Sequence, residues 1–450
     1  MNRQFVCLFP TLVALTFVGG ARAAENWPQW RGPDGNGISD STNLPTTWSL
    51  EKNIVWKTPL PWWSGGTPVV WGDRIFVTSP TKSDPAKAKP ETQQSFPRQR
   101  RDPGGSTLLL ICISKYDGAE FWRRELDEGN QIWNKQNDSS PSPVTDGNRV
   151  WVVTGTGTVT AFDMDGNHIW KRNLQRDYGA FGLNWGYGSS PLLYNGKLII
   201  EVLHGQKTDD PSYVVALDAA TGKQRWRQER PTDAVNESPD AYTTPTLLTS
   251  GGKRQIVISG GDYVTGHDPE TGEEIWRAAG LNPTNSPNNR IIASPIVADG
   301  MIYAPTRKTP LLALHAGGRG DVTTSHLAWK WESRGGPDVP TPLCDGKYFY
   351  MVDDRGLVTC LGAKSGKVIW GPKRTATGIV SASPLLADGN IYITNEGNVT
   401  TIVAAGPKFK LISTNRLDGT YTLSSIAVSG ERLFLRTSTH LYCIGTKSAG

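Results

Sequence analysis

Hydrophobic and polar positions alternate in short bursts along most of this chain, and the bursts recur. Residues 341–370, TPLCDGKYFYMVDDRGLVTCLGAKSGKVIW, show the unit best. Thr341-Pro342 opens a first strand, and Asp345-Gly346 turns into the aromatic run Tyr348, Phe349, Tyr350. Asp354-Arg355-Gly356 then turns into Leu357 to Leu361, and Ser365-Gly366 into a last strand that ends at Trp370. Alternating apolar runs punctuated by Gly after Asp or Ser predict strands joined by tight hairpins. A sheet of four such strands has two apolar faces and needs a neighbour on each.

The neighbours lie in the same sequence. A small residue of the third strand and a following tryptophan pair as Cys112/Trp122, Ala161/Trp170, Ala216/Trp226, Gly266/Trp276, Ala313/Trp329 and Cys360/Trp370, with Thr401/Leu411 as a seventh pair. The separation is ten residues in five pairs, nine in the second and sixteen in the fifth, which holds an insertion around Gly317-Gly318-Arg319-Gly320. The first strand repeats too, as Thr67-Pro68, Ser142-Pro143, Ser190-Pro191, Thr244-Pro245, Ser294-Pro295, Thr341-Pro342 and Ser383-Pro384. An eighth copy begins at Ser424-Ser425-Ile426 and has no fourth strand after Gly445, whereas Asn53-Ile54-Val55-Trp56-Lys57 is a fourth strand that precedes the first copy. The pattern predicts an all-β, eight-bladed β-propeller of four-stranded antiparallel blades, the last blade closed by the N-terminal strand. One propeller domain is expected over residues 53–445, although a chain of 450 residues ordinarily suggests two or three domains.

The ends read differently. A basic start, an apolar run from Phe5 to Val18 and the small residues Ala21-Arg22-Ala23 predict a signal peptide over residues 1–23, and so an exported protein, periplasmic or extracellular. Residues 24–52 form an irregular leader expected to lie across the propeller, and residues 446–450 a tail. Within the leader, Asp34-x-Asn36-Gly37 reads as a turn, since the other ligands of a calcium loop are missing. No transmembrane segment is expected in the mature chain, which reads as a monomer.

Charge and cysteine content narrow the chemistry. The formal net charge is +5, and +3 without Arg3 and Arg22, too little to argue for nucleic acid. Lys82, Lys87, Lys89, Arg98, Arg100 and Arg101 lie in a Pro- and Gln-rich insertion that reads as a solvated loop. Cys112, Cys360 and Cys443 occupy the small third-strand position, which predicts packing rather than disulfides. Cys344 and Cys360 are separated by an intervening strand, too far for a bridge. Six scattered histidines offer no ligand spacing and no triad. No metal site and no catalytic residue is expected.

In an up-and-down meander, the first-to-second and third-to-fourth turns share one face, and the other connections share the opposite face. The irregular length falls mostly on the latter, in residues 81–105, 177–188, 204–211 and 231–241, so binding is expected there. Residues just before each opening Ser/Thr-Pro are expected at the channel mouth, with Trp185, Tyr187, Asp240, Tyr242, Asn289, Arg290 and Asp338 as candidates for a ligand or partner. Trp62, Trp63, Asn137, Asp138 and Asn184 belong to the same set.

VVALDAATGKQRW at 214–226 and VTGHDPETGEEIW at 264–276 resemble the pyrroloquinoline quinone-like (PQQ-like) repeat, A-x-D-x-x-T-G-x-x-x-W, with Gly266 in place of the alanine. The resemblance implies that the repeated tryptophans dock between blades, here Trp56, Trp122, Trp170, Trp226, Trp276, Trp329 and Trp370, with Leu411 as the departure. Two functional classes share this repeat. Quinoprotein dehydrogenases hold PQQ and calcium in the channel and oxidise alcohols or sugars; their alcohol-oxidising members carry adjacent cysteines, which this chain lacks. Scaffold propellers, among them the propeller subunit of the outer-membrane barrel assembly machinery, use no quinone and bind proteins. The expectation is a noncatalytic binding or scaffold module with no cofactor, its partner an envelope protein or a small ligand. A PQQ- and calcium-dependent dehydrogenase is the alternative.

Overall fold

The computed structural model describes residues 26–83, 102–133, 135–308, 310–333 and 336–446. The expected signal peptide, most of the basic insertion and nearly all of the tail lie outside the described residues. The repeats form eight four-stranded antiparallel sheets. Going round the ring, the innermost strands of blades 1 to 8 are Val69–Trp71, Val144–Thr145, Leu192–Tyr194, Thr246–Ser250, Ile296–Ala298, Leu343–Cys344, Leu385–Ala387 and Ala427–Ser429. In blades 1 to 7 the chain meanders outward to a fourth strand. In blade 8 the fourth strand is Ile54–Pro59, which pairs antiparallel with His440–Ile444, so the two ends of the propeller sequence close the ring.

Second and third strands are buried on both faces because each blade is sandwiched between two others, and they are nearly continuous apolar runs such as Thr107–Ser114. The outer strands, such as Gln224–Glu229, bury little beyond their tryptophan. One bulge recurs in all eight blades; in every blade but the seventh it sets a small residue opposite the tryptophan and the next residue opposite the position two before it, as in Ala216↔Trp226 and Leu217↔Gln224. The extra residue adds local twist and turns the indole toward the next blade.

Six indoles donate a hydrogen bond to a carbonyl of the following blade. Trp56 reaches Lys115, Trp122 Met164, Trp170 Ala219, Trp226 Pro269, Trp329 Ala363 and Trp370 Gly406, at 2.8–3.2 Å. Glycines make room for the rings: a Cβ on Gly222 (φ 70°) would lie 2.5 Å from Trp170. Trp276 differs from these six in its hydrogen bond. It packs in a cluster with Ile302, Leu312 and Leu314 of blade 5, but its Nε1 donates to Gln255 of its own blade at 2.8 Å. Gly266 is the reason, because an alanine Cβ there would sit 2.1 Å from the indole. The blade 5 insertion also folds back, and Gly320–Asp321 adds a parallel fifth strand to blade 4 beside Trp276.

Blade 7 corrects the alignment. The bulge places Ile402 opposite Ser413 at the positions of small residue and tryptophan, whereas Leu411 pairs with Val403 and Thr401 with Thr414. The pair has exchanged volumes, with a large residue where the other blades carry a small one and a serine in place of the indole. Trp48 of the leader occupies the vacated junction. It is 4% exposed, packs in one cluster with Ile402 and with Phe434 and Leu435 of blade 8, and stacks on Tyr392 at 6.4 Å and 12°. Its backbone N–H donates to the Asn415 side-chain oxygen at 2.9 Å, and the Ser413 hydroxyl donates to the Thr46 carbonyl.

Cys112, Cys344, Cys360 and Cys443 are buried free thiols. Burial raises Cys112, Cys360 and Cys443 to about 12 and Cys344 to about 11, so all stay protonated at neutral pH.

Candidate functional site: a central channel closed at both ends

The opening Ser/Thr of each blade has a use beyond starting a strand. Near the axis, blades converge edge to edge with no room for a sheet ladder, so the N–H of that residue needs a side-chain acceptor. Thr67 donates to the hydroxyl of Ser142, Ser142 to Ser190, Ser190 to Thr244, Thr244 to Ser294, Ser294 to Thr341, Thr341 to Ser383 and Ser383 to Ser425, all at 2.9–3.1 Å. The hydroxyl of Thr67, which begins the ring, is buried without a hydrogen-bond partner. Seven links therefore tie eight blades, and the break falls where blade 8 meets blade 1. The repeated Ser/Thr before Pro was the visible signal of this girdle.

The leader enters the channel from the face of the first-to-second turns. Trp27 and Val70 exchange backbone hydrogen bonds at 2.8 Å, Thr145 donates to the Pro28 carbonyl at 2.9 Å, and Ile38–Ser39 runs parallel to Leu386–Ala387. One short segment thus touches the inner strands of blades 1, 2 and 7. Arg31 reaches furthest: it is 2% exposed and donates to the carbonyls of Pro342 at 2.6 Å, Thr341 at 3.2 Å and Pro384 at 3.4 Å. Burial lowers it to about 9, since carbonyl dipoles replace water around the cation. Gly32 (φ 82°) permits the turn, and a Cβ there would stand 2.7 Å from the Trp27 ring. Asn36 accepts the N–H of Ile38 at 2.9 Å, as a turn residue does.

The opposite mouth gathers part of the expected set. Trp185 donates its backbone N–H to the Tyr242 hydroxyl at 3.0 Å and its Nε1 to Glu237 at 2.6 Å. Arg290 lies between Glu237 at 3.7 Å and Asp338 at 3.6 Å, and Arg307 is 3.5 Å from Asp338. The chain Tyr242–Trp185–Glu237–Arg290–Asp338–Arg307 runs along the rim. Tyr187, Asp240 and Asn289 are buried in the walls instead, because the segments before the inner strands tuck beneath neighbouring loops. Tyr187 donates to the Glu201 carbonyl at 3.1 Å, and Asn289 to that of Leu281 at 3.1 Å. Asp240 accepts the N–H groups of Asn184, Gly205 and Gln206 at 2.7–3.1 Å. Burial outweighs those bonds and raises Asp240 to about 6. Burial likewise raises Asp338, against the pull of Arg290 and Arg307.

A hairpin that no repeat announces crosses this mouth. Ile132–Trp133 pairs with Gln136–Asn137, and Asp138 braces its base by accepting the Gln131 N–H at 2.7 Å and the Trp133 indole at 2.9 Å. Lys135 at the tip reaches blades 6 and 7, 3.0 Å from Ser381 and 3.1 Å from Glu396. Gln136 donates to the Trp185 carbonyl at 2.7 Å on the blade 3 side. Lys135, Glu237, Arg307 and Glu396 lay outside the expected set because each acts through a partner far away in sequence.

A quinone–calcium pair requires an aromatic floor, cations for the quinone carboxylates and carboxylates free to ligate. Here Arg290 is held by two carboxylates, both oxygens of Asp240 accept backbone N–H groups, and the indole and backbone N–H of Trp185 are engaged. Among the described residues, no group of three or more His, Cys, Asp and Glu is placed to hold a metal ion. As arranged, this donor set does not fit the pair.

These features define an eight-bladed propeller of PQQ-like repeats whose channel is crossed at both ends by its own chain. The family model described as "Outer membrane protein assembly factor BamB" matches residues 106–324 and 318–420, and the chain belongs to that family. The outer membrane protein assembly factor BamB of Yersinia pestis is 22% identical over 335 residues, covering 65% of this chain and 81% of its own length. A quinohemoprotein alcohol dehydrogenase of Comamonas testosteroni is 28% identical over 144 residues, covering 30% of this chain and 19% of the enzyme. The crystal structure of BamB from Moraxella catarrhalis superposes with a TM-score of 0.57 at 15% identity, over 88% of this chain and 98% of that one, a likeness of fold. Among the described residues, no helix is long and apolar enough to cross a membrane.

Proposed function

We propose that this protein is a noncatalytic binding or scaffold propeller of the cell envelope, working with envelope proteins at the outer face of its loops. The observation that carries the reading is the double closure of the channel, by the leader at one end and by the Lys135 hairpin at the other. A ligand that enters the axis must displace either Arg31 from four backbone carbonyls or Lys135 from Glu396, whereas the connecting loops on the mouth face are already exposed. Val235, 52% exposed in one of those loops, is such a position. Family membership supports the same reading, since relatives carry the description of an assembly factor.

A photo-crosslinking side chain at Val235, in the full chain expressed in a Gram-negative envelope, tests this. Discrete adducts with envelope proteins are expected. Their absence at Val235 and at further loop positions such as Asp209 would overturn the scaffold reading.

A further inference from the structure

The outer rims of blades 6 and 7 carry an exposed surface that neither the channel nor the mouth loops explain. In blade 6 the third-to-fourth turn and the start of the outer strand read Lys364-Ser365-Gly366-Lys367-Val368-Ile369, and in blade 7 the equivalent stretch reads Lys408-Phe409-Lys410-Leu411-Ile412. Val368 is 51% exposed and Leu411 53%, and Ile369 and Ile412 are exposed beside them. All four lysines are exposed. Lys364 lies 3.8 Å from Asp299, and among the described residues Lys367, Lys408 and Lys410 make no ion pair. The two stretches form one surface, because Trp370 of blade 6 donates to the Gly406 carbonyl at 2.8 Å and packs edge-on against Phe409 at 5.4 Å. The same turn of blade 4 has the opposite character, with Glu270, Glu273 and Glu274. Other outer rims expose single apolar residues, such as Tyr116, Phe121, Ile169 and Leu327, but among the described residues blades 6 and 7 alone set two lysines beside two adjacent exposed aliphatic residues.

We infer that this rim docks on an anionic lipid surface, with the lysines at the headgroup phosphates and Val368, Ile369, Leu411 and Ile412 at the acyl boundary. The composition selects a membrane over an acidic protein. Protein interfaces are depleted in lysine and enriched in arginine and aromatic anchors; these two stretches carry four exposed lysines and no arginine, and their one aromatic ring, Phe409, packs against Trp370. Lysine stems beside exposed aliphatic side chains are what an interfacial site uses, since the stem lies along apolar surface while the ammonium reaches the phosphate. A projecting blade edge also suits a flat surface better than a groove does. The inference stands independently of the mouth loops, which lie on the other face.

Flotation of the full protein with vesicles tests it. Vesicles containing phosphatidylglycerol are expected to retain the protein at low salt, with release as salt rises, and pure phosphatidylcholine vesicles are not. Each lysine near an anionic surface is worth about a fivefold change in affinity, so K367E/K408E/K410E should weaken binding at least about a hundredfold with an unchanged melting curve. V368S/I369S/L411S/I412S should weaken it as well, which a purely electrostatic contact would not show. Equal flotation of wild type and the triple-lysine variant, or no flotation with anionic vesicles, would overturn the proposal. So would retention of binding by the serine variant together with complete displacement by soluble polyglutamate, which would mark an acidic protein as the partner.

Discussion

Two neighbouring junctions of the ring, blade 6 to 7 and blade 7 to 8, solve one packing problem in different ways. At the first, the repeat supplies its own wedge: Trp370 stands opposite Cys360 and hydrogen bonds to Gly406 of the next blade. At the second, Ser413 and Ile402 occupy the corresponding positions, and Trp48 from 365 residues earlier in the chain is the wedge. The difference shows that the leader is part of the propeller. Its early portion crosses one end of the channel, its later portion replaces a missing repeat residue, and the strand that follows closes blade 8.

The sharpest way to break this comparison is to remove each wedge. Trp370→Ala should cost about 3–5 kcal/mol, as a buried tryptophan truncation does, and Trp48→Ala should cost about as much despite lying outside the repeats. Urea denaturation monitored by fluorescence reads both; a Trp48→Ala cost below about 0.5 kcal/mol, typical of surface substitutions, would remove the leader from the account.

Restoring the repeat sharpens it. Ile402→Ala with Ser413→Trp recreates the usual pair, but the new indole competes with Trp48, and overpacking should cost about 1–3 kcal/mol. In a Trp48→Ala background the same double substitution should recover stability instead. Additive effects in that cycle would show that the two sites do not share the junction.

The hydroxyl girdle offers a smaller contrast. Ser142→Ala leaves the buried N–H of Thr67 without an acceptor and should cost about 1–3 kcal/mol. Thr67→Ala removes a hydroxyl that has no partner and should cost well under 1 kcal/mol beyond its lost methyl. Equal losses would mean that the ring is closed at all eight blades.

A further contrast lies in pH. Burial raises Glu201 from 4.5 to about 8, and raises Asp138, Asp240 and Asp354 from 3.8 to about 6. Folded values above unfolded ones mean that the protonated acids favour the native state. That contribution is full below about pH 4 and is lost as pH rises through 6 and then 8. Glu201→Gln should flatten the fall in melting temperature between about pH 4.5 and 8; an unchanged slope would show that Glu201 does not titrate there.

The blades were legible because the same succession of short apolar strands and tight turns recurs in every copy and because 53–57 reads as a fourth strand without a blade. The seam was not. A ten-residue spacing put Leu411 in the tryptophan's frame, and the exchange of volumes between Ile402 and Ser413 becomes visible only in the register. Trp48, Arg31 and Lys135 act through contacts hundreds of residues away in the sequence, in segments without periodicity. At the mouth, aromatic and charged residues before each inner strand pointed to the right region. Which of them are exposed depends on how neighbouring loops fold over them: Trp185, Arg290 and Asp338 reach the rim, while Asp240 and Asn289 are spent on backbone groups in the wall.

The proposed scaffold reading rests on the chain's own residues crossing both ends of the axis, and it implies that no quinone is bound there. Titration of the full protein with pyrroloquinoline quinone and calcium, followed by quinone absorbance and dye-linked oxidation of alcohols and sugars, tests it most directly. The account predicts no stoichiometric uptake and no turnover. One quinone bound per chain with substrate oxidation would contradict it.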